Sequence, residues 1–110
     1  METIEALRAN EVNHVLLSVN EIGAYTPLRR IVLGHCAYLF MMNEGDSFKF
    51  SNRMLARVLG VRERSVRNAM KAFIRDGLVR IEKRMDGGMN VYSLDMEKLH
   101  ELILNRYVGR

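Results

Sequence analysis

Residues 51–94 read SNRMLARVLGVRERSVRNAMKAFIRDGLVRIEKRMDGGMNVYSL, and the spacing of their apolar side chains changes along the stretch from a helical period to an alternating one. Ser51 can cap a helix over Asn52–Leu59 whose inward face is Leu55, Ala56 and Leu59, with Met54 and Val58 at its margins. Gly60 ends that helix, because glycine enters the left-handed region without a side-chain clash. A second helix is expected from about Arg62 to Asp76, its apolar stripe made by Val66, Ala69, Met70 and Phe73 at three-and-four spacing. Gly77 stops it. Leu78, Val79 and Ile81 then begin an extended segment, Asp86-Gly87-Gly88 supplies a tight reversal, and Met89 to Leu94 returns, so Arg80 to Leu94 is expected as a β-hairpin.

Upstream, Asn43 to Asp46 form a turn, and Ser47-Phe48-Lys49-Phe50 fits a brief edge strand. Thr26 and Pro27 are a hydroxyl cap followed by proline at the first helical position. The helix they start, Leu28 to about Met42, is apolar on nearly all sides after Arg29 and Arg30. It should therefore be buried from several directions, by the rest of the domain and by a second copy of it. Ile4, Leu7, Val12, Val15, Leu16, Val19 and Ile22 suggest one helix over residues 4–22, with Asn10 the place where it could break. Asp95 caps a last helix from Met96 to about Tyr107, with an apolar line of Met96, Leu99, Leu102, Ile103 and Tyr107. The chain thus reads as one domain over residues 1–110, mostly α with a small antiparallel β-hairpin. The flanking segments 1–22 and 95–110 carry more apolar surface than a three-helix core needs, which points to a homodimer.

With 48% hydrophobic residues in 110, the chain can bury a modest core and is not a disordered tail. Its net charge of +4 is unevenly spread. Lys49 to Arg84 holds eleven Lys or Arg against three carboxylates, a balance of +8, while the remainder holds six against ten. That segregation suits a polyanion at one face, although basic residues also decorate ordinary solvated helices. The single cysteine, Cys36, sits in an apolar stretch and excludes an intramolecular disulfide. The N-terminal METIEALRANE does not resemble a secretory signal, and the apolar run Cys36–Met42 is too short to span a bilayer. A cytoplasmic protein with no membrane association is expected.

The glycine turn between two helices is helix-turn-helix geometry. Burying Val66, Ala69, Met70 and Phe73 leaves Glu63, Arg64, Arg67, Asn68 and Lys71 on the solvent side. Arginine can donate two hydrogen bonds to guanine and asparagine can pair with adenine, so Arg64, Arg67 and Asn68 are the expected base readers of duplex DNA. Lys71, Arg62, Arg53 and Arg57 are expected on backbone phosphates. Glu63 either accepts from cytosine or orients a neighbouring arginine. In the hairpin, Arg80, Lys83 and Arg84 would reach phosphates or place a guanidinium in a narrow minor groove.

LARVLGV, then SVRNAMKAFIRDGLV, then paired strands ending NVYSL closely resemble the winged helix-turn-helix superfamily. The resemblance covers Ser47 to Leu94, and the helix over Thr26 to Met42 fits the family's first helix. It is shared by bacterial and archaeal regulators and by DNA-binding domains of phage and plasmid replication initiators. It implies that Val61 to Phe73 is a recognition helix for the major groove, that the hairpin is a wing on flanking backbone, and that homodimers are common. One departure stands out: the family usually has Ser or Thr after the valine of the turn, where this chain has Arg62. Losing that cap costs about 1 kcal/mol at the helix start.

The sequence has no phosphate-binding glycine loop, no HExxH pair and no spaced CxxC set, so neither an enzyme nor a cofactor is expected. His14, His35 and His100 are isolated, His35 reading as a core or interface residue. The expected function is sequence-specific duplex binding by a dimeric transcriptional regulator. A plasmid or phage replication or partition protein and a winged-helix protein–protein interaction module are the alternatives.

Overall fold

The computed structural model describes residues 4–105. In chain order the elements are α1 (Ile4–Val19), α2 (Pro27–Met42), β1 (Phe48–Ser51), α3 (Asn52–Leu59), α4 (Glu63–Arg75), β2 (Val79–Arg84), β3 (Met89–Leu94) and α5 (Met96–Asn105). The three strands form one antiparallel sheet in the order β1-β3-β2. The expected hairpin is thus two-thirds of a sheet whose third member, β1, occupies the edge. The expected apolar roles of Ile4, Leu7, Val12 and Tyr107, and of the segment 106–110, concern side chains outside those described.

The capping signals locate most helix ends. Thr26 Oγ1 accepts from Arg29 N at 3.3 Å, Ser51 Oγ from Met54 N at 3.0 Å, and Asp95 Oδ1 from Lys98 N at 3.1 Å. Gly60 adopts φ +70° and closes α3, with Val61 N donating to Ala56 O at 3.0 Å. One boundary differs from expectation by more than a residue. α1 runs unbroken through Asn10 and stops at Val19, three residues early. Past that end, Arg30 Nη1 donates to Asn20 O at 2.8 Å and Arg30 Nε to Tyr25 O at 3.0 Å, so a guanidinium satisfies carbonyls of the α1–α2 turn. α4 begins at Glu63, with Arg62 as its cap residue.

The core gathers Val32, Leu33, Cys36 and Ala37 from α2, Val66, Ala69 and Phe73 from α4, and Leu99 from α5, all without solvent exposure. Phe48, Phe50 and Tyr92 close it from the sheet as a packed aromatic set with centroids 5.2 to 6.0 Å apart. Met96, Leu102 and Ile103 of α5 pack partly buried against this core, so most of that helix's apolar line is used within the chain. Met54 and Val58, expected at the margin of α3, are instead 58% and 80% exposed. The free thiol of Cys36 is buried beside Met70, and burial pushes its pKa up.

Register decides which way the hairpin's cations face. Val79 pairs with Leu94, Arg80 with Ser93 and Ile81 with Tyr92, after which the ladder resumes at Lys83 opposite Val91 and Arg84 opposite Asn90. Glu82 is the extra residue of a bulge, so the strict alternation read from the sequence reverses beyond it.

Tyr25 ties the α1–α2 turn to the end of α4. Its ring meets Phe73 edge-on at 5.2 Å, and its hydroxyl donates to Asp76 Oδ2 at 2.7 Å, while Arg75 Nε donates to Asp76 Oδ1 at 3.2 Å. These two donors hold the Asp76 carboxyl below the usual carboxylate range. Burial, then the bond to Asp76, pushes the Tyr25 phenol up. A depressed carboxyl stabilises the fold above its unfolded pKa, near 4, and loses that contribution as pH falls through the folded value. A raised phenol contributes fully below about pH 10 and less as pH climbs through its folded value. Tyr25→Phe, which keeps the ring contact, should cost about 1–2 kcal/mol at neutral pH and flatten both flanks of the stability–pH curve measured by urea unfolding. A wild-type acid flank in the variant would mean that Asp76 owes its depressed pKa to Arg75 alone.

Candidate nucleic-acid interface

The helices α3 and α4 meet through Leu55 and Ala56 on one side and Val66, Ala69 and Met70 on the other, all buried. Because α4 turns about 100° per residue, burying that stripe directs Arg64, Arg67, Asn68 and Lys71 away from the core. All four are exposed. Arg53 and Arg57, one turn apart on α3, and Arg62 at the junction are exposed as well. Seven of the ten cations and amides expected at the interface therefore come from one two-helix unit with a rigid apolar seam.

Glu63 is paired with an arginine. Its Oε1 lies 3.5 Å from Arg67 Nη2, an i,i+4 pair with both side chains nearly half exposed. Such a pair contributes only about 0.3–0.5 kcal/mol, so it aims Arg67 without locking it. Glu63 also lies in the first turn of α4, where a carboxylate is favoured by the helix dipole. Arg64 and Asn68 sit one turn apart beside this pair.

The start of α4 has the departure expected from the sequence. Arg62 has the extended backbone of a cap residue, φ −75° and ψ 142°, yet its side chain makes no capping hydrogen bond. Ser65 N donates to Arg62 O at 3.0 Å, which satisfies the first helical turn from the backbone side only. The N–H groups ahead of it are left to solvent or to an incoming anion.

The hairpin's three cations are not brought together. Arg80 lies at the base of β2 opposite Ser93, and its Nε donates to Glu82 Oε1 at 3.1 Å. Ser93 Oγ donates to the same oxygen at 2.6 Å, and these two bonds hold the exposed Glu82 carboxyl below its usual range. Lys83 and Arg84, both exposed, lie near the Asp86–Gly88 turn on opposite faces of the ribbon, as neighbours in a strand do, and the bulge decides which face each takes. A bulge leaves little mark in sequence, and the polar, charged run from Glu82 to Arg84 gives no apolar residue by which to detect the change of phase.

Among the described residues no group of three or more His, Cys, Asp or Glu side chains is arranged to hold a metal ion. None of the described helices is long and apolar enough to cross a membrane. Replacing Arg62 by Ser supplies the missing hydroxyl and should raise the urea midpoint by the equivalent of about 0.5–2 kcal/mol. An unchanged midpoint would show that the first-turn donors of α4 already have an equivalent partner. Protein-family models, curated proteins and solved structures were compared with the chain, and none of the three gives a match.

Proposed function

We propose that the chain is a winged helix-turn-helix protein that binds duplex DNA sequence-specifically, as a dimeric transcriptional regulator. The observation that carries this reading is the division of α4: Val66, Ala69, Met70 and Phe73 are buried, while Arg64, Arg67, Asn68 and Lys71 are exposed on the reverse side. A helix held this firmly can present side chains to a major groove with little loss of order on binding. Arg64, Arg67 and Asn68 read base edges; Lys71, Arg62, Arg53 and Arg57 neutralise phosphates; Lys83 and Arg84 in the wing extend the contact to flanking backbone. Arg80, already paired with Glu82, has the smaller share.

A homodimer is part of the proposal, and its support lies mainly in α1 and α2. Leu17, Ile31 and Tyr38 are 70%, 49% and 42% exposed and line an open groove of about 650 Å³ together with Leu16, Gly34 and His35. Three of the nine large apolar side chains exposed among the described residues meet in this groove, which suits a protein-contact surface, and two-fold pairing through it would present two recognition helices to an inverted repeat. The cytoplasm is the compartment this function implies.

Two measurements test the reading. Duplexes selected from a random library should yield a half-site. On that site Arg67→Ala should cost about 1–3 kcal/mol and relax one position, whereas Lys83→Ala should weaken selected and random duplexes by similar factors. Absence of salt-sensitive duplex binding would reject the proposal. In sedimentation equilibrium, Ile31→Glu should shift the protein towards monomer with little change in its far-ultraviolet spectrum; a variant as dimeric as wild type would move the seam elsewhere.

A further inference from the structure

Lys49 of β1 stands opposite Val91 of β3, and Val91 stands opposite Lys83 of β2. Residues directly opposed in an antiparallel ladder share a face, so the three form one row across the whole sheet. Lys49 lies between the buried Phe48 and Phe50, which sets the row on the face turned away from the core. Lys83 reaches that face only because of the bulge at Glu82; with unbroken alternation it would lie on the same side as Ile81. Both lysines are exposed, and neither forms an ion pair with a described residue.

Of the carboxylates nearest in the chain, Glu82 on this same face and Asp46 are held by other donors, while Asp86, in the turn beyond Arg84, forms no ion pair with a described residue. Glu82 accepts from Ser93 Oγ and Arg80 Nε on a single oxygen, towards the base of the hairpin. Asp46, in the turn before β1, accepts from Ser47 N at 2.7 Å. The face thus carries two ammonium groups with no ion pair to a described residue, whose strands lie two inter-strand spacings apart, about 10 Å.

We propose that this outer face of the sheet is a second phosphate-contacting surface, with Lys49 and Lys83 on backbone phosphates either side of Val91. The inference rests on the duplex-binding reading above. It adds β1, a strand outside the wing, to the contact. One strand of a duplex carries a phosphate for every 3.4 Å or so of axis, so two lysines this far apart meet different phosphates. Lysine is a flexible point charge that suits phosphate without reading bases, and the methyl groups of Val91 give both stems an apolar surface to lie along. Arg84, opposite Asn90, faces the other way and contacts nucleic acid separately from this pair.

Anisotropy titrations of a random-sequence 30-base-pair duplex, from about 50 to 200 mM salt, test the proposal. Lys49→Gln and Lys83→Gln should each lower affinity about three- to tenfold and each reduce the slope of log affinity against log salt by about 0.9. Lys49→Arg should restore the slope, and Lys98→Gln, the same loss of charge on α5, should leave it at the wild-type value. A wild-type slope in Lys49→Gln alongside a reduced one in Lys83→Gln overturns the sheet-face contact and leaves the wing and the duplex reading standing. A wild-type protein with no salt-sensitive binding overturns both. Lys49 is exposed, so an unchanged urea midpoint for Lys49→Gln confirms that the comparison is between folded proteins.

Discussion

Phe73 is wholly buried, and Tyr25 meets its ring edge-on at 5.2 Å. That contact constrains more than one side chain, because Phe73 is the last buried residue of α4 and Tyr25 belongs to the turn joining α1 to α2. The bond from Tyr25 to Asp76 fastens the same turn to the residue that caps α4, and Lys98 of α5 passes over Gly77 so closely that a Cβ there would lie 2.7 Å from its ammonium group. The carboxyl end of α4 is thus held by the α1–α2 turn and by α5, with a cation set against its negative dipole. Its amino end, at Arg62, has no side-chain cap and is held by the Gly60 turn, by backbone bonds and by the packing of Val61 and Val66. A rigid far end and an uncapped near end is an arrangement in which the direction of the helix is set by the core while its first turn keeps free donors.

What could be read from the sequence follows from which signals are local. The caps at Thr26, Ser51 and Asp95, the left-handed Gly60 and the stripe on α4 are each decided within a few residues, and they appear at the expected positions. Features decided by contacts from afar could not be read in this way. α1 ends at Val19, and Arg30, across the turn, takes the Asn20 carbonyl that a continuing helix would have used. The edge strand was visible in Phe48 and Phe50, but its pairing with β3, which makes a three-stranded sheet, was not. The bulge at Glu82 lies within a polar run, where no apolar alternation records a change of face. The apolar surplus was assigned to both flanking helices, whereas α5 spends most of its share on the core, leaving Leu104 exposed, and α1 and α2 leave Leu17, Ile31 and Tyr38 exposed around one groove. Of the candidate interface, the α3–α4 residues were legible because helical periodicity alone sets their direction. The facing of Lys83 and Arg84 was not.

The charge of the basic tract has an internal order that composition conceals. Between Lys49 and Arg84 there are three carboxylates, and each is engaged by an arginine close in sequence: Glu63 by Arg67, Asp76 by Arg75 and Glu82 by Arg80. Neutralisation is therefore short-range and leaves eight cations of this tract without an ion pair to a described residue. Those eight fall on α3, on α4, at their junction and on two strands of the sheet, so the excess charge is spread over the face and one flank of the domain. Surface pairs of this kind are weak enough to exchange their carboxylate for a phosphate at small cost, but they differ in what exchange would disturb. Parting Arg67 from Glu63 frees one side chain on a helix that stays folded without the pair. Parting Arg75 from Asp76 would leave Tyr25 as the remaining donor at the joint that orients α4. By this reasoning the Arg67 side chain can be released from its pair at little cost, whereas Arg75 belongs to the scaffold although both stand on the same helix.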